Sequence, residues 1–132
     1  MNEETDFTDE GNSRLDALRH QIAKRRWREE LRGTERNGIR WQSDPDGRLA
    51  VLESMAFADL SESRGGPPFR TRWKGLGGQW SNELGKKELI EAAAAIGQRR
   101  AACFAREREL LDQLEADPEQ FEETEIGTGW PE

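Results

Sequence analysis

The chain has 132 residues, of which 36% are charged and 33% hydrophobic, and its formal net charge is -7. This length predicts one core, and the lack of an apolar run of about 18 residues argues against a membrane-spanning helix. The acidic start, MNEETDFTDE, does not resemble a signal peptide, and a single cysteine excludes an internal disulfide and fits a reducing compartment.

Both ends of the chain are acidic. Residues 1–13 carry five acidic residues and no basic one, and residues 115–132 carry seven and none, so the segment between them has a net charge of +5. Neither the composition nor the charge of the first end favours folding. We therefore predict a disordered acidic segment over 1–13, one small domain over 14–116 and an acidic tail with hydrophobic anchors over 117–132.

A first helix is predicted from Ser13, a suitable N-cap, to about Arg32. Its basic run at 24–28 resembles a nucleic-acid patch, but two glutamates follow directly and no recognition fold surrounds it, so we interpret it as a solvated helix face. The apolar residues form two patches offset around the helix axis, which indicates contact with more than one neighbour. They are Leu15, Leu18, Ile22, Trp27 and Leu31.

The dipeptide Asn37-Gly38 predicts a first β-hairpin, because a type I′ turn needs positive φ at both central residues. Ile39 and Trp41 then face the core. Asp44 followed by Pro45 supplies the N-cap and first-turn proline of a second helix, over about 45–61. We expect that helix to bury Leu49, Leu52, Met55, Ala56 and Leu60.

Residues 69–74 alternate between apolar and basic side chains, as in a half-buried strand. The glycine-rich stretch 75–78 leads into a second short strand with Trp80, and no Gly-Lys-Ser/Thr follows to support a phosphate loop. A third helix begins near Gly85 and runs past Leu114. The predicted fold is therefore α+β, with three helices and two short β-hairpins in the order α-ββα-ββα, a long C-terminal helix and disordered acidic tails.

The third helix has a carboxylate in the middle of its apolar face. Glu107 lies among Cys103, Phe104, Leu110, Leu111 and Leu114 when the helix is projected at 100° per residue. Burial of a carboxylate requires a donor, and we expect Arg70 or Arg72 to provide it. We also expect Glu107→Leu to weaken assembly with a partner more than it weakens folding.

The residue inventory argues against an enzyme. His20 is the single histidine and lies on a charged helix face, so neither a catalytic triad nor a zinc site can be assembled with Cys103. We predict no catalytic, cofactor-binding or metal-binding residues. Five tryptophans in so short a chain favour packing and interfaces. The predicted partner-binding residues are Leu15, Leu18, Ile22, Trp27, Glu107, Phe121, Ile126 and Trp130.

Several of these motifs together resemble a known family. The basic first helix, the Asn37-Gly38-Ile39 turn with Trp41, the Trp73-Lys74 pair before the glycines and the CFARERELL segment resemble the domain of unknown function 4376 family. The resemblance covers roughly residues 14–116. Proteins of that family are found in tailed phages and prophages, encoded near tail-fibre genes, and the resemblance implies a location in a phage tail.

On that resemblance we expect a non-enzymatic phage tail protein that binds a trimeric tail-fibre protein, as an assembly chaperone or as a retained subunit. The alternative is a structural baseplate or tail-tip component that links fibre to tail. A nucleic-acid-binding regulator is a remote alternative that rests on the basic body of the chain. We expect an oligomer in the complex, without a cofactor or a membrane partner, in the virion tail or in the host cytoplasm during assembly.

Overall fold

In the computed structural model, the backbone is described from Glu3 to Glu132 and the side chains from Gly11 onwards. This described part of the chain contains three α-helices, one two-stranded antiparallel hairpin and a short 3₁₀ helix, and the last α-helix is the longest, as the sequence predicts. They are α1 (Glu3–Glu30), β1 (Thr34–Arg36), β2 (Ile39–Trp41), α2 (Pro45–Ser63), α3 (Lys86–Ala116) and the 3₁₀ helix Glu123–Gly127. The predicted disorder of residues 1–13 falls mostly outside the described side chains, and α1 begins at Glu3 instead of Ser13.

The chain divides into two compact units, and each has its own buried cluster. The central unit consists of residues 30–101, and the terminal unit combines residues up to 29 with residues 102–132. The chain length predicted one core. With 31 residues, α3 extends for about 46 Å, which exceeds the width of one small core, and it supplies buried residues to both clusters.

The β1–β2 hairpin forms at the predicted Asn37-Gly38 turn. Both turn residues have positive φ, 56° and 77°, as a type I′ turn requires. Thr34 pairs with Trp41 in the hairpin register, and Ile39 and Trp41 are buried in the central cluster. The local turn signal therefore fixed both the position and the register of this hairpin.

The second predicted hairpin is present as two isolated antiparallel bridges. Thr71 pairs with Leu84, and Lys74 pairs with Trp80. Between them the second arm has one residue more than the first, so the register shifts as in a β-bulge. The Trp73 N–H donates to the Ser81 hydroxyl at 2.8 Å, which takes the place of a regular ladder bond there. A continuous second pair of strands does not form for these reasons.

Helix α2 begins as predicted, with the Asp44 side chain accepting a hydrogen bond from Gly47 N at 2.7 Å. The prediction of its buried face is wrong. Its buried residues are Gly47, Val51 and Ala58, whereas Leu49, Leu52 and Leu60 are at least half exposed. Ala56 is exposed and Met55 only partly buried.

The rotation of α2 is set where the helix begins. A Cβ added at Gly47 would collide with the carbonyl group of Gln42, so the first turn lies directly against the preceding chain. The Arg48 side chain donates to the Ser43 carbonyl oxygen at 2.8 Å and holds the same turn in place. These contacts direct the small residues inward and the leucines outward, against the hydrophobic periodicity.

The acidic segment 117–132 lies along α1 and the C-terminal part of α3 within the terminal unit, although the sequence predicts a disordered tail. Arg14 donates to the carbonyl oxygens of Pro118, at 2.8 Å, and Phe121, at 3.2 Å. Arg106 donates through Nε to the Thr128 carbonyl oxygen at 2.8 Å. Arginines of the two helices thus neutralise part of the acidic segment and hold its backbone.

Substitution of Gly33 tests how closely the chain after α1 approaches β2. Gly33 has φ of 77°, and a Cβ added there would lie 2.5 Å from the Trp41 carbonyl oxygen. We expect Gly33→Ala to lower the free energy of unfolding by about 2–4 kcal/mol, from the left-handed backbone and from overpacking. Gly38→Ala is the matched control, because Gly38 has the same φ with nothing within 4 Å of an added Cβ. Equal losses in urea unfolding of the two variants would contradict the close approach.

Candidate protein-binding surfaces

Most residues predicted to bind a partner lie inside the terminal unit. Their apolar spacing correctly predicted that they are covered. They are covered by elements of the same chain and not by a partner protein. The buried ones are Leu18, Ile22, Phe121 and Ile126, with Leu15 and Trp130 partly buried against them. The interpretation of these six side chains as surface contacts is therefore corrected, because the acidic segment folds back over α1 and α3 and covers them.

Trp27 is the predicted contact that stays at the surface. Its side chain is 45% exposed on α1, in the terminal unit. It does not belong to the buried cluster of that unit. Trp27 therefore remains a candidate contact residue.

Glu107 has an intramolecular partner that the sequence analysis did not identify. Its Oε2 lies 3.4 Å from Nε of Arg26 on α1, and the two side chains are 17% and 18% exposed. The Arg26 guanidinium also lies over the Phe104 ring, 4.4 Å from its centroid, in a cation–π contact. The prediction that Arg70 or Arg72 donates to Glu107 is wrong. The donor is Arg26, which belongs to the same unit as Glu107.

The residues available for chemistry are dispersed. Cys103 is fully buried, and His20 is exposed on α1. Among the described residues, no group of three histidine, cysteine or acidic side chains is placed to hold a metal ion. None of the helices in the described part of the chain is long and apolar enough to span a bilayer. The prediction that the protein is not an enzyme stays a prediction.

The glycine-rich turn 75–80 of the central unit is held rigidly by backbone hydrogen bonds. Gly75 N donates to the Gln79 carbonyl oxygen at 2.6 Å, and Gly78 N donates to the Gly75 carbonyl oxygen at 3.0 Å. Leu76 N donates to the carbonyl oxygen of Arg40 at 2.7 Å, which ties the turn to β2. The turn is therefore a fixed part of the unit and not a loose loop.

This turn presents Trp80 to solvent. The indole is 63% exposed, and its bridge partner Lys74 and the nearby Arg72 are exposed on the outward face of the same arm. An exposed tryptophan beside an arginine has the composition of an interface hot spot, where these two residue types are enriched. We call this surface, with residues Arg72, Lys74, Leu76 and Trp80, the Trp80 turn.

The sequence contained a signal for the Trp80 turn. Residues 69–74 alternate, with Trp73 inward and the basic residues outward, and Trp73 lies 5.0 Å from Trp41 between ring centroids. Since Trp80 pairs with Lys74 across the turn, strand alternation places it outward as well. The turn was predicted from the sequence, whereas the outward position of Trp80, which this alternation indicates, was not.

The outward face of α2 is the second exposed apolar surface of the central unit. Leu49, Leu52 and Leu60, with Phe57 at one margin, are at least half exposed. Asp59, on the flank of the helix, pairs with Lys86 at the start of α3, and this hydrogen bond and charge raise the pKa of the Lys86 amine above its usual value. This exposed ion pair connects the flank of α2 with the start of α3 and leaves the leucines of α2 uncovered.

The comparison with protein families matches almost the whole described chain. A family model described as "Domain of unknown function (DUF4376)" matches residues 14–126. The chain belongs to this family. The DUF4376 match includes the Trp80 turn, α2 and the Arg26–Glu107 pair, and it extends through the buried Ile126. No curated protein and no solved structure matches the chain.

The Arg26–Glu107 pair gives a stability prediction for Glu107→Gln. Removal of the charge leaves a largely buried guanidinium with a weaker partner, so we expect a loss of about 1–2 kcal/mol in the free energy of unfolding. Glu109→Gln is the control, because its exposed carboxylate contacts Arg106 at 3.5 Å at the surface, where ion pairs contribute little.

A double-mutant cycle with Arg26→Met isolates the interaction between the two side chains. Urea unfolding of the four proteins gives the coupling free energy. A coupling indistinguishable from zero, or equal effects of Glu107→Gln and Glu109→Gln, would show that the carboxylate has no stabilising role.

Proposed function

We propose that this protein binds a phage tail-fibre protein, as an assembly chaperone or as a subunit retained on the fibre. Membership of the DUF4376 family supports the proposal through the tail-fibre gene neighbourhood that this resemblance implies. The structural observation that carries it is the Trp80 turn, an exposed indole on a backbone fixed by hydrogen bonds. A rigid aromatic anchor of this kind loses little conformational entropy on binding.

The chemistry of the Trp80 turn defines what the partner presents to it. The indole fits an apolar pocket, and Arg72 and Lys74 favour carboxylates on the rim of that pocket. The buried positions of the terminal unit do not take part, because their own helices cover them. The partner surface on the fibre is therefore apolar at its centre and acidic at its edge.

The test is co-expression with the tail-fibre protein encoded beside it, followed by affinity measurement on the purified pair. We expect Trp80→Ala to weaken binding at least about tenfold, the loss typical of an interface hot spot. Gln79→Ala is the matched control, since it changes an exposed side chain of the same turn and leaves the backbone bond from Gly75 N intact. The affinity of Trp27→Ala shows separately whether the terminal unit contributes to binding.

Two results would overturn the proposal. One is a fibre protein that folds and trimerises alone and forms no complex with this chain. The other is strongly salt-dependent binding of DNA that Trp80→Ala removes, because it would assign the Trp80 turn to nucleic acid. If the complex forms, mass spectrometry of purified virions separates a chaperone, which is absent, from a retained subunit.

A further inference from the structure

The outward face of α2 carries a continuous apolar stripe. Leu49, Leu52, Ala56 and Leu60 follow at spacings of three, four and four residues, and all are exposed. Projected at 100° per residue, they lie within about 80° of one another. Amphipathic helices normally bury such a stripe, and within the described residues this one faces solvent. We call these four residues the α2 stripe.

The α2 stripe is complementary to itself about the middle of the helix. Leucines lie toward both ends, and the small Ala56 lies near the centre. If a second α2 packs against it in the antiparallel direction, Leu49 of one helix comes opposite Leu60 of the other. In the same register, Leu52 of each helix comes opposite the small Ala56 of the other, which leaves room for the leucine. A surface that matches itself in this way is what a two-fold interface requires.

The charges at the two ends of α2 show the same symmetry. Asp46 in the first turn and Arg64 at the C-cap are exposed and lie on the same side of the stripe when the helix is projected. In an antiparallel pair, Asp46 of each copy comes opposite Arg64 of the other, so two ion pairs form at once. An unrelated partner helix would need this same order of charges, whereas a second copy supplies it.

We propose that two copies of this chain associate through the α2 stripe, with their α2 helices antiparallel about a two-fold axis near the middle of the helix. One helix face of 19 residues is about 28 Å long and buries less than a standard interface of about 1,600 Å². An interface of this size is typical of weak, reversible association. Glu53 lies at the margin of the stripe near the axis, where its two copies repel each other.

The test is sedimentation equilibrium of the full chain without any fibre protein, over about 1 to 200 µM, a range chosen for an interface of this size. We expect a monomer–dimer equilibrium. Asp46→Arg alone and Arg64→Asp alone should each weaken the dimer at least about tenfold, and the double variant should restore it because the ion pairs are reversed. Glu53→Ala should tighten the dimer.

Leu60→Glu and Leu76→Glu form the matched pair of controls. Both leucines are exposed, but Leu76 lies on the Trp80 turn, so only Leu60→Glu should abolish the dimer. Thermal unfolding of every variant checks that the fold is retained. A wild-type chain that stays monomeric over the whole range overturns the proposal, as does a double variant no better than either single one. Because no fibre protein is present, either result is independent of the proposed function.

Discussion

The first turn of α2 lies directly against the chain that precedes it, and this contact decides which face of the helix is buried. Gly47 has no room for a side chain beside Gln42, Asp44 caps the helix, and Arg48 reaches back to the Ser43 carbonyl oxygen. Three contacts within one turn leave the helix no freedom to rotate. Burial of the leucines would require the loss of all three, including two part-buried hydrogen bonds that contribute about 1 kcal/mol each.

The same segment shows how polar groups organise the centre of the chain. The Ser43 hydroxyl donates to the Glu30 carbonyl oxygen and accepts a hydrogen bond from Gly33 N at 3.0 Å. It thereby satisfies the end of α1 and the positive-φ turn that follows. Arg100 of α3 lies 3.2 Å from the buried carboxylate of Glu30. Buried polar groups of the central unit thus find their partners within the same unit.

Features that depend on neighbouring residues could be predicted from the sequence. The Asn37-Gly38 turn and the Asp44 cap follow from backbone preferences that no distant contact needs to support. The face of α2 could not be predicted, because hydrophobic periodicity shows that a stripe exists but not whether this chain covers it. The donor to Glu107 was missed for a related reason. Arg26 lies 81 residues away, and its basic neighbours and Trp27 resembled a separate surface patch.

The candidate surfaces show that the sequence could not separate buried from exposed apolar residues. Apolar positions such as Ile22 and Phe121 were interpreted as contacts for a partner. They lie instead in one buried cluster, because arginines of α1 and α3 hold the acidic segment in place. Trp80 was interpreted as part of a hairpin, yet its pairing with Lys74 turns it outward. Spacing along one element identifies the apolar side chains that pack against another element. The neighbour itself is identified only when distant elements are brought together.

The two exposed surfaces of the central unit differ in chemistry, and this difference separates their roles. The α2 stripe is aliphatic and has charges of opposite sign at its ends, so it complements a copy of itself. The Trp80 turn combines an indole with cations alone, and two such turns would repel each other through Arg72 and Lys74. Under the proposed function, its partner is therefore a different molecule with an acidic surface. A dimer formed through α2 presents two copies of the Trp80 turn, and a fibre that binds both gains affinity from the second contact without any new kind of interaction.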